Sequence, residues 1–85
     1  IVVNGAKKAR IAHNNIYNLM VDMTTSIAGI EITGAASDSI TIESNLLTNI
    51  KNAHPLGWAA YGINLGGGSN HFLVNNSIAG ISTDN

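Results

Sequence analysis

The chain has 85 residues, no cysteine, a formal net charge of -1 and 11% charged residues. That length allows one domain with a modest core, and the missing cysteines exclude a disulfide framework and a thiolate zinc site. A nucleic-acid binder would need a basic stripe, and a membrane-spanning helix roughly 20 consecutive apolar residues; the sequence has neither.

In chain order, Ile1-Val2-Val3-Asn4-Gly5 alternates apolar and variable positions and closes at Gly, which predicts a short strand and a turn. Its start has neither a basic nor an apolar leader region, so an export signal is expected only outside this sequence. Lys7, Lys8 and Arg10 follow as a small basic cluster, read as a solvated turn. Residues 11–19, IAHNNIYNL, then run apolar, two variable, Asn, one variable, apolar, one variable, Asn, apolar. After a short connection, Ile30-Glu31-Ile32-Thr33-Gly34 repeats the opening block, and residues 42–50, IESNLLTNI, repeat the second. A longer loop over residues 51–61 holds the only Trp and the only Pro. Beyond it come Ile63-Asn64-Leu65-Gly66-Gly67 and residues 73–81, LVNNSIAGI.

The second block recurs every 31 residues (11 to 42 to 73), and the first at steps of 29 and 33 (1 to 30 to 63). One period therefore holds three short strands with Gly or Asn at the corners. This predicts an all-β solenoid of about three coils, each strand pairing with its equivalent one period later. Helical repeats fit badly, because no segment keeps apolar residues at helical spacing, and leucine-rich repeats would need denser Leu. In the stack, Asn14, Asn45 and Asn76 form one column at a left-handed corner, with side-chain amides hydrogen-bonded along it. Asn18, Asn49 and Gly80 mark a second corner with the same backbone demand. The columns Ile11/Ile42/Leu73, Ile16/Leu47/Ile78 and Leu19/Ile50/Ile81 are expected to fill the interior.

The blocks ARIAHNNIYNL and ITIESNLLTNI resemble the right-handed parallel β-helix repeat of pectate lyases, other polysaccharide lyases, pectin-degrading hydrolases and many bacterial surface proteins. The resemblance covers essentially the whole chain and implies a secreted or cell-surface protein. Three coils leave apolar ends, so the segment is expected to continue into further coils of a longer chain, or to be covered end-on by a partner or by self-stacking.

Enzymes with this fold work on an outward face, with clustered carboxylates that bind calcium or act as acid and base. Here the first outward row is Val2, Glu31 and Asn64, and the next two are Arg10/Thr41/Phe72 and Ala12/Glu43/Val74. Arg10 and Glu43 could pair diagonally, which is ordinary surface chemistry, and no catalytic residue is assigned. His13, His54 and His71 fall on different columns, so no metal is expected. His71 falls at an inward position, which calls for a bulge or a hydrogen bond to a neighbouring turn. Trp58, Tyr61 and His54 in the long loop are the candidates for contact with a polysaccharide or another protein. For Trp58 the alternative is folding back over apolar surface. Asn75-Asn76-Ser77 matches a glycosylation sequon that the ladder also explains. The expected function is a structural or adhesin-like segment without catalysis or cofactor. The alternatives are part of a polysaccharide lyase or hydrolase whose active site lies elsewhere, or a fragment bound as cargo by another protein.

Overall fold

A computed structural model describes residues 1–84. Among them are nine strands and no helix: β1 (Val2–Asn4), β2 (Arg10–Ala12), β3 (Asn15–Val21), β4 (Ile27–Thr33), β5 (Thr41–Glu43), β6 (Leu46–Asn52), β7 (Ala60–Leu65), β8 (Phe72–Val74) and β9 (Ser77–Thr83). They form three parallel sheets of three strands, in the orders β1-β4-β7, β2-β5-β8 and β3-β6-β9. Each coil contributes one strand to every sheet, so the fold is a three-coil parallel β-solenoid. Strands about 4.8 Å apart make three layers comparable to the shortest of the 36 × 24 × 13 Å extents.

The register follows the repeat residue by residue. Ile11 pairs with Ile42 and Ile42 with Leu73, a step of 31 on both sides. Val3 pairs with Ile32 and Ile32 with Leu65, steps of 29 and 33. The change from 29 to 31 falls in the corner after β1 and β4, where Lys7 bridges Asp38. The central coil therefore has two more residues there than the first. The buried hydroxyl of Ser37 takes up the slack: it donates to Thr33 O at 2.6 Å and accepts from Gly5 N at 2.9 Å.

Left-handed residues also stack. Lys8, Ser39 and Asn70 have φ of 55°, 56° and 60°, and His13, Ser44 and Asn75 have 57°, 54° and 54°. Asn18, Asn49 and Gly80 form the third column, at 54°, 54° and 69°. This third column is a bend inside β3, β6 and β9 rather than a corner between strands, because pairing resumes on either side of it. One correction follows for Asn14, Asn45 and Asn76: the left-handed angle belongs to the residue before each of them. That residue turns the chain, and the asparagine after it points beneath the corner, leaving Asn45 only 2% exposed.

The core is Ile11, Ile30, Ile32, Ile40, Ile42, Leu47 and Ile50. All but Ile11 belong to the central coil and are fully buried, since only that layer is covered on both sides. Each such side chain contributes roughly 1.5–3 kcal/mol. Gly29 sets how closely the sheets approach: a Cβ there would lie 2.7 Å from Leu47 Cδ2 and 2.8 Å from Ile50 Cδ1. A residue with a side chain would push β4 away from β6.

Candidate functional site

Two constructions stand out, the asparagine column inside and the long loop outside. In the column, Asn45 Oδ1 accepts from Asn14 N at 3.0 Å and from Asn14 Nδ2 at 2.9 Å. Asn76 Oδ1 accepts likewise from Asn45 N and Nδ2, at 3.1 and 3.0 Å. The amides also donate to the coil before: Asn45 Nδ2 to Ile11 O at 3.0 Å and Asn76 Nδ2 to Ile42 O at 2.9 Å. At the bend inside β3 and β6, Asn49 Nδ2 donates to Asn18 Oδ1 at 2.8 Å. Asparagine suits this work because one side chain both accepts and donates.

The loop over residues 53–59 joins β6 to β7. Its base rests on Asn52, which is fully buried and uses its whole amide. Asn52 Oδ1 accepts from Met23 N and His54 N, each at 3.2 Å. Its Nδ2 donates to Met23 O at 3.0 Å and Thr25 O at 2.8 Å. This residue was not singled out from the repeat, although alternation from the inward Ile50 marks it as a polar group facing in. His54 works as a turn former, its Nδ1 accepting from Leu56 N at 3.0 Å. Trp58 is 76% exposed and Leu56 72%, so Trp58 does not fold back over the sheet. Tyr61 stands beside Ala28 on β7, 40% exposed.

The remaining polar groups are spent on neighbouring coils. Arg10 pairs with Glu43 across the first two coils, and Asn64 Nδ2 donates to Glu31 Oε1 at 3.2 Å. His71 needs no bulge: its Nδ1 accepts from Ile40 N at 3.3 Å, and its Nε2 lies 2.9 Å from Gly67 O. Among the described residues, no three His, Cys, Asp or Glu side chains come together as metal ligands, and no enclosed cavity is present. The basic cluster also disperses, with Lys7 beside Asp38 and Arg10 on Glu43.

At that corner, the hydrogen bond from Asn70 Nδ2 (2.9 Å) is the main cause holding the Asp38 carboxyl below its ordinary range. Partial desolvation opposes it, while the Ser39 hydroxyl and the charges of Lys7 and His71 add to it. A lowered folded pKa contributes stability at pH above the unfolded value, lost as pH falls through the folded one. The difference in urea midpoint between the chain and Asp38→Asn should therefore be full at neutral pH. It should shrink below about pH 3.9, the ordinary carboxylate value. A difference that stays constant from pH 7 to pH 2 would remove the argument.

Fold and surface together define a parallel β-solenoid that carries one exposed aromatic loop. No protein family, no curated protein and no solved structure matches this chain.

Proposed function

We propose that this chain is a rigid, non-catalytic segment of a secreted or cell-surface β-helix protein, structural or adhesin-like in role. Its working surface is the loop over residues 53–59, and its ligand is a polysaccharide. The observation that carries the reading is Trp58, exposed on a loop whose base is fastened by a fully buried asparagine. An indole held in water on a fastened support suits stacking on a sugar ring, which is apolar on its face and polar at its rim. Tyr61, on the adjoining strand, offers a second ring on the outside of the same sheet. His54 supports the turn through Nδ1 and keeps Nε2 for a sugar hydroxyl. The charged residues are paired between coils, which favours a surface that holds a ligand over one that transforms it.

Binding to a panel of immobilised neutral and acidic polysaccharides tests this. Trp58→Ala should weaken binding to the best of them about tenfold, the equivalent of about 1.4 kcal/mol, and leave the melting temperature unchanged. Equal binding by both proteins would sink the assignment of the loop.

A further inference from the structure

The hydrogen bonds of the asparagine column all run in one sense. Each backbone N at this position donates to the Oδ1 of the next coil's asparagine, and never the reverse. The two ends of the column are therefore different. On the third-coil face, Asn76 N has no acceptor among the described residues, since the Oδ1 that would receive it belongs to a following coil. On the first-coil face, Asn14 Oδ1 has no donor. Asn14 Nδ2 there turns to Ala12 O of its own coil at 3.3 Å, whereas Asn45 and Asn76 reach the preceding coil at 3.0 and 2.9 Å. One face lacks what the other offers.

We propose that the third-coil face receives the first-coil face of a second copy of this chain, head to tail and in the 31-residue register. Asn14 of the second copy then accepts from Asn76 N through Oδ1 and donates to Leu73 O through Nδ2, as Asn45 does one layer lower. The apolar columns continue with it. Ile11 covers Leu73, Ile16 covers Ile78 and Leu19 covers Ile81, three positions that are part or half exposed on the third coil. The unpaired edges of β7, β8 and β9 meet those of β1, β2 and β3 as parallel strands, which removes the open edges on both sides. Charge favours the same arrangement. First coil against first coil would bring Lys7, Lys8 and Arg10 against their own copies. Head to tail sets them over Ser69, Asn70 and Phe72, which follow from the register. Because the contact is heterologous and does not close, it propagates. The inference rests on the scaffold reading and is independent of what the loop binds.

Sedimentation velocity of the chain across a concentration series is the test. The expected result is a ladder of masses at successive multiples of 8.8 kDa; a species that stops at the dimer, or a monomer throughout, overturns the proposal. Two single-face variants read the polarity directly. Ile78→Lys places a charge on the third-coil face and Ile16→Lys on the first-coil face. Each alone should remain monomeric, and an equimolar mixture should form a dimer and nothing larger. Dimers of Ile16→Lys by itself would mean pairing of like faces and would refute the head-to-tail arrangement. If either variant fails to fold by circular dichroism, the concentration series on the unaltered chain decides alone. A chain that melts cooperatively yet stays monomeric loses the stacking and keeps the scaffold reading.

Discussion

Asn45→Leu is expected to lower the melting temperature more than any other single change in the asparagine columns. Leucine fills a similar volume but can neither accept nor donate. The substitution leaves Asn14 N, Ile11 O and Asn76 Oδ1 without partners at a site that is 2% exposed in the parent chain. A buried polar group left unpaired costs about 1–3 kcal/mol. The extra apolar burial returns about 1–2 kcal/mol of that, so a net loss of about 3 kcal/mol is expected. In a domain of this size each kcal/mol moves the melting temperature by about 4–8 °C. Thr48→Ala is the control, since Thr48 lies on the outer row between Tyr17 and Ala79. It should cost less than about 1 kcal/mol. Equal melting temperatures for the two variants would mean that the column contributes nothing beyond filling space. Asn45→Asp sharpens the test: it keeps the acceptor for Asn14 but sets oxygen against Ile11 O and Asn76 Oδ1.

The register could be read from the sequence because a solenoid copies its constraint once per coil. Ile11, Ile42 and Leu73 occupy the same position in three layers, so each layer repeats what the others say. Where a position has no counterpart, that redundancy disappears. Asn52 pairs with Val21 below and Thr83 above, so its column has no common chemistry, and only the alternation from Ile50 betrays it. The left-handed positions were concealed for another reason. Lys8, His13, Ser39 and Ser44 adopt φ near 55° although none is Gly or Asn, the residues that ordinarily signal that region. Bonding between the layers outweighs the local preference. The exposure of Trp58 could not be read at all, because a loop with two more residues than the register needs has no partner in the coil below.

Asn52→Leu is the second large effect, and it connects the interior to the proposed ligand surface. The amide of Asn52 makes four hydrogen bonds, two to Met23, one to Thr25 and one to His54. It thereby ties the loop of the third coil to the connection beneath it. Gly57 passes so close that a Cβ there would meet Asn52 Nδ2 at 2.5 Å and Met23 O at 2.8 Å. With leucine at 52 these backbone groups must find water, which requires the loop to lift. A loss of about 2–3 kcal/mol is expected, smaller than four unpaired groups would give because the lifted loop is solvated. The change should be local. Amide exchange at Met23 and His54 should accelerate while that of Ile42 and Leu47, in the buried layer, stays slow. A lifted loop no longer holds Trp58 in one place, so polysaccharide binding should weaken along with the exchange protection, although Asn52 has no exposed atom with which to touch a ligand. Fast exchange with undiminished binding would separate the two, and the aromatic side chain would then bind without needing its fastened base.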